Sequence, residues 1–177
     1  MIDDFKYKDL KNYCWNHIKD AWIIMADMDE FLCVTESELL EEMNNETTIL
    51  KVEGRDMIGE SNTLDLSDID LQGIKKYLDF PLESKNLCFY AGKIRQMNYQ
   101  LGAHSCNPEG IIKYSSKTYI NKHMSNLGLK FIVDKIHKRY ERSEKMRSEG
   151  HAIHYINDSK EIEKQYLNSL KNCKLFE

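Results

Sequence analysis

The segment Ala21-Trp22-Ile23-Ile24-Met25-Ala26 is apolar throughout, and the segment Asp27-Met28-Asp29-Glu30 that follows is almost wholly acidic. A short apolar run without alternation reads as a strand covered on both faces, as in a parallel sheet. When such a strand turns acidic at its end, the carboxylates fall at the carboxyl edge of the sheet. That edge is where open α/β folds bind their ligands.

The flanking patterns support an α/β order. From Asp4 to Lys19, Leu10, Tyr13, Cys14 and Ile18 recur at helical spacing. Thr35-Glu36-Ser37-Glu38 is a capping box with Leu39, Leu40 and Met43 as the apolar face behind it, and Asn44-Asn45 ends that helix. Thr48–Val52 reads as a second strand, so the chain opens helix, strand, helix, strand. Gly54 to Pro81 reads as a long loop with one short helix near Ile74–Leu78. Leu87–Tyr90 and Lys93–Tyr99 read as a hairpin about Ala91-Gly92. Gly102–Gly110 is a polar loop, and Ile111–Tyr114 and Thr118–Ile120 are short strands. A long helix spans about Leu127 to Arg147 with Phe131, Ile132, Ile136 and Tyr140 inward. His151–Ile156 reads as extended. A last helix, Lys160–Asn172, is opened by Asp158 with Glu161 three residues on. The 177 residues suit one domain, with a core sheet over about 1–124 and helices over about 125–177.

A net charge of -4 argues against a general nucleic-acid binder. The basic stretch from Lys130 to Arg147 is interleaved with Asp134, Glu141 and Glu144. It reads as a solvated helix face, or as a contact for phosphates or an anionic membrane surface. Five cysteines, with no C-x-x-C spacing, point away from a disulfide framework or a structural zinc site and fit a reducing cytosol. No apolar run has the length of a membrane span, and Met-Ile-Asp-Asp-Phe-Lys is not a signal peptide. The expectation is a cytoplasmic protein whose membrane contact, if it has one, is peripheral at the inner face.

Asp27 and Asp29, one residue apart, are spaced to reach a single hard cation. Oxygen ligands suit Mg²⁺ or Mn²⁺, and such ions usually bridge phosphates and stabilise developing negative charge. An acidic surface turn is the other reading of a bare D-x-D.

The order of motifs along the chain adds to this. Trp22–Leu32 resembles the D-x-D-E-F segment of GT-A glycosyltransferases of the family 2-like and family 92-like groups. Gly54–Gly59 resembles their post-strand loop, and Gly102-Ala103-His104-Ser105-Cys106-Asn107-Pro108-Glu109-Gly110 resembles their G-x-H-x-c-x-P-x-G loop. Asn121–Gly128 resembles the H-Y-K-x-L-G that ends their core sheet, and Tyr140–Ser143 and His154-Tyr155 have counterparts as well. The resemblance implies a partial GT-A, Rossmann-like α/β fold with a mixed sheet and a helical C-terminus. It implies metal-dependent transfer of a sugar from a nucleotide-sugar donor to a glycan or glycoprotein acceptor. Asp27 and Asp29 take the metal–diphosphate role in it, His123 matches a late histidine ligand, and His104 is the alternative. Lys85 and His154 are candidates for contacting the donor. An inverting transfer needs a general base; the candidates are Asp56, Glu60 and Glu109, with Asp56 preferred. The family carries Asp-Lys near Ser84-Lys85, and serine replaces the aspartate here.

The family also begins with βα units that hold base and ribose, on the order of 60 residues. This chain has about one helix ahead of the acidic segment. That implies an exposed sheet edge, which a second copy or a partner chain would cover. Two further readings follow: a non-catalytic remnant acting as a binding or assembly module, and another metal-dependent phosphoryl or nucleotidyl enzyme. The Gly102–Gly110 and His123 motifs argue against the latter.

Overall fold

The computed structural model describes residues 4–67, 69–148 and 158–176. The elements run α1 (Asp4–Tyr13), β1 (Trp22–Ile24), β2 (Glu30–Cys33), α2 (Glu36–Asn44), β3 (Ile49–Ile58), β4 (Lys76–Asp79), β5 (Cys88–Tyr90), β6 (Ile94–Gln96), β7 (Glu109–Gly110), β8 (Tyr114–Asn126), α3 (Leu129–Arg142), α4 (Glu144–Ser148), α5 (Ser159–Asn172) and β9 (Lys174–Leu175). This is an α/β fold with a mixed sheet, consistent with a partial Rossmann-like arrangement. The chain divides into two compact units, Met1–Arg55 with Asp79–His123, and Asp56–Leu78 with Met124–Glu177.

In the first unit β1 pairs antiparallel with β5, and β5 with β3 at Ile49↔Phe89. β2 pairs antiparallel with β8, setting Glu30 opposite His123 and Leu32 opposite Asn121. One core cluster gathers Trp15, Ile23, Ile49, Phe89, Ile94, Met97 and Tyr99; a second gathers Leu50, Leu87, Cys88 and Tyr119. Each large side chain buried there contributes roughly 1.5–3 kcal/mol. In the second unit, β4 pairs with β9, and Met57, Met124 and Leu127 form the buried centre.

The apolar run forms a strand over Trp22–Ile24 alone, and it is an antiparallel edge rather than a parallel strand covered on both faces. Trp22 packs on one cluster and Ile23 lies in the other, which removes the alternation, while Ile24 is exposed. The first helix stops at Tyr13, where Trp15 turns into the core and donates its ring N–H to the Lys11 carbonyl at 3.1 Å. Its inward face also differs from the one the spacing predicts. Leu10 and Tyr13 are exposed, whereas Lys11 and Asn12 are buried. Asn12 donates to the Tyr99 carbonyl at 3.1 Å and accepts from its N–H at 2.7 Å. Specific polar partners here outweigh the apolar spacing.

The predicted loop over Gly54–Gly59 continues strand β3 as far as Ile58. Gly54 serves close approach, since a Cβ there would collide with the Phe80 carbonyl and with Glu83. The short helix predicted near Ile74–Leu78 is instead strand β4. The predicted hairpin does not close: β5 pairs with β1 and β3, and β6 pairs with β7. One long strand, β8, replaces the two short strands expected there, and the long helix breaks at Ser143 between α3 and α4. The capping box holds as read, with Thr35 and Glu38 bonding each other's backbone N–H. Asp158 caps α5 through the Lys160 N–H at 2.9 Å. The extended segment expected over His151–Ile156 lies outside the described residues.

Candidate functional site

Asp27 to Glu30 forms a tight turn between β1 and β2 of the first unit. The Glu30 N–H donates to the Asp27 carbonyl at 3.1 Å, and the Asp27 N–H donates to Glu30 Oε2 at 2.9 Å. Glu30 opens β2 and its side chain is wholly buried, whereas Met28 is fully exposed and Asp29 is a third exposed.

Two lysines meet the turn from inside. Lys11 of α1 lies 2.6 Å from Asp27 Oδ1, and the Tyr7 hydroxyl donates to the same oxygen. Lys85 Nζ lies 3.5 Å from Asp27 Oδ2, 2.5 Å from Glu30 Oε1 and 3.0 Å from Glu83 Oε2. Burial alone would raise the Asp27 carboxyl, but the bonds from Lys11 and Tyr7 and the charge of Lys85 hold it below its ordinary value. Burial, and a hydrogen bond shared with Glu83, push Glu30 up to about 7. Glu83 goes the other way: the Glu30 bond and the Lys85 charge overcome its burial. Burial would likewise lower Lys85, but the carboxylates around it keep it charged, above the ordinary lysine value.

On the outer side of the turn, Asp29 Oδ2 lies 3.6 Å from His123 Nε2. The Phe80 ring stacks on the His123 imidazole at 5.8 Å and 15°. The pairing of Glu30 with His123 in the β2–β8 ladder brings the turn and the histidine together.

Among the described residues, no three or more His, Cys, Asp or Glu side chains are placed to hold a metal ion. Asp29 and His123 form a two-donor set of one carboxylate and one imidazole. One divalent ion with bonds of about 2.0–2.2 Å can bridge donors that close. The carboxylate suits Mg²⁺ or Mn²⁺, while the imidazole is a softer donor that fits Mn²⁺ better than Mg²⁺, and water and phosphate oxygens would supply the remaining ligands. Asp27 does not fit that role as it stands, because both of its oxygens face cations.

The other residues singled out by sequence are more dispersed. His104 Nδ1 lies 3.0 Å from the Leu82 carbonyl and 3.7 Å from Glu83 Oε1. It therefore borders the far end of the carboxylate–lysine cluster. Lys85 is buried among carboxylates rather than facing outward. Asp56 belongs to the second unit, where it accepts a 2.7 Å hydrogen bond from the Ser125 hydroxyl. Glu60, also in that unit, pairs with Lys76, and Glu109 of the first unit pairs with Arg95 at 3.0 Å. His154 lies outside the described residues. Sequence reasoning did not find Tyr7, Lys11, Phe80 or Glu83. Lys11 carries no signal of its own, since a helical lysine is ordinarily solvated.

Comparison of the chain with protein-family models, with curated proteins and with solved structures found no match. No helix among the described residues is long and apolar enough to cross a membrane.

Proposed function

We propose that this chain is a nucleotide-sugar-dependent glycosyltransferase unit whose metal site is Asp29 and His123. The observation that carries the reading is the 3.6 Å approach of an imidazole to a carboxylate at the tip of a turn whose neighbouring acid, Asp27, is neutralised from within. A divalent ion held there would neutralise the charge that develops on a departing nucleoside diphosphate. Asp29 supplies a carboxylate oxygen, and His123 supplies Nε2 from a ring held flat by Phe80. Lys11 and Lys85 keep Asp27 ionised, so the turn approaches the diphosphate with one acid already compensated. The acceptor is proposed to be a glycan or glycoprotein hydroxyl, with contact to a membrane surface peripheral.

The reading is tested by titrating Mn²⁺ with UDP, GDP and their sugars while following thermal stability. A ligand that binds only the folded chain at 100 times its dissociation constant adds roughly 2.7 kcal/mol. No shift with any nucleotide would sink the reading. A second reading, a binding module without turnover, draws on the engagement of both Asp27 oxygens by Lys11 and Lys85. It predicts nucleotide binding with no release of sugar from any donor.

A further inference from the structure

The turn from Asp27 to Glu30 is held at both ends and presented in the middle. One ammonium reaches both ends, for Lys85 Nζ lies 3.5 Å from Asp27 Oδ2 and 2.5 Å from Glu30 Oε1. Between them, Met28 and Asp29 project outward. The Lys85 side chain is only 2% exposed, so a ligand's phosphate cannot reach it where it stands. Its third partner is Glu83, 3.0 Å away on the short turn Pro81–Glu83. The same stretch of chain supplies Phe80, whose ring lies flat on His123. One segment, Phe80 to Lys85, therefore touches His123 through Phe80 and the two ends of the turn that carries Asp29 through Lys85.

A buried ion cluster is a weak source of stability, since apolar replacements of equal volume often do as well or better. What it supplies is a fixed geometry. We propose that Lys85 is a positioning residue: it staples the two ends of the acidic turn across one ammonium and so holds Asp29 beside His123, while Phe80 fixes the imidazole from the same segment. The inference rests on the metal-site reading for its purpose, but the staple itself is a property of the chain alone.

The test uses the whole chain and Mn²⁺ alone as the probe. Lys85→Met removes the ammonium. Should the unpaired Glu30 and Glu83 prevent folding, Lys85→Met with Glu30→Gln and Glu83→Gln removes the charges together and keeps an acceptor for the Asp27 N–H. In the metal-free protein, hydrogen exchange at the Asp27 and Glu30 amides should quicken at least tenfold, with the β3 amides unchanged. Mn²⁺ affinity should fall at least tenfold. Phe80→Leu should weaken Mn²⁺ binding and leave the turn amides unchanged, which a general loss of stability would not do. Exchange and affinity within twofold of the unsubstituted chain would overturn the proposal, as would faster exchange with unchanged affinity. If the unsubstituted chain binds no Mn²⁺, the metal-site reading fails. Exchange alone then decides the staple: faster exchange upholds it and unchanged exchange removes it.

Discussion

Lys11 lies 2.6 Å from Asp27, so a helix that precedes the acidic turn neutralises its first carboxylate. That contact ties α1 to the turn. Among the described residues, Lys11→Met would leave Asp27 with Tyr7 and Lys85. Because the Asp27 side chain keeps 29% of its exposure, the cost should be about 1–3 kcal/mol, below that of breaking a fully buried pair. Urea unfolding measures it, and a loss under about 0.5 kcal/mol would show that Lys11 does not anchor α1.

Glu30 gives the fold a pH dependence whose sign follows from its shift. Folding raises Glu30 from the ordinary glutamate value to about 7, so the folded chain binds more protons than the unfolded chain between roughly pH 4.5 and 7. Its contribution therefore favours folding at low pH and is lost as pH rises through 7. Glu30→Gln should flatten that fall, by on the order of 2–3 kcal/mol between pH 5 and 8. Asp27 and Glu83, both held low, act oppositely, since their stabilisation is lost as pH falls toward the folded values. Denaturant midpoints across that range decide the matter. Parallel pH profiles for the two proteins would rule out the assignment to Glu30.

Gly54→Ala places a Cβ against the Phe80 carbonyl and Glu83, both backbone-fixed. We expect a loss of about 1–3 kcal/mol, as in other overpacked sites. Thermal melting should show it, and a neutral substitution would mean that Phe80–Glu83 can move away from β3.

Thr35→Ala removes the side chain that accepts the Glu38 N–H and half of the α2 capping box. The expected cost is about 1 kcal/mol, with metal and nucleotide binding unchanged. A change in binding would tie α2 to the site in a way that its geometry does not suggest.

These predictions also mark what the sequence made legible. The α2 and α5 caps could be read because each is a local code, a side chain bonding a backbone N–H two or three residues away. The acidic turn was legible as a place where charge collects, and the β2–β8 register then set His123 beside it. What escaped depends on partners distant in sequence. Lys11 and Asn12 face inward because Asp27 and Tyr99 meet them there, and helical spacing of apolar residues carries no trace of that. Gly54 reads as a loop glycine until Phe80 is placed on it. Lys85 looked like a phosphate contact because an isolated lysine is expected to be solvated, whereas three carboxylates, two from the acidic turn and one from Glu83, enclose this one.

The most direct measurement is the Mn²⁺ and nucleoside diphosphate dependence of thermal stability in the unsubstituted chain, in Asp29→Ala and in His123→Ala. The account predicts a Mn²⁺-dependent stabilisation by UDP or GDP, about 2.7 kcal/mol at 100 times the dissociation constant, that both substitutions abolish. A chain that shows no such stabilisation, or an Asp29→Ala variant that retains it in full, would contradict the assignment of the site to Asp29 and His123.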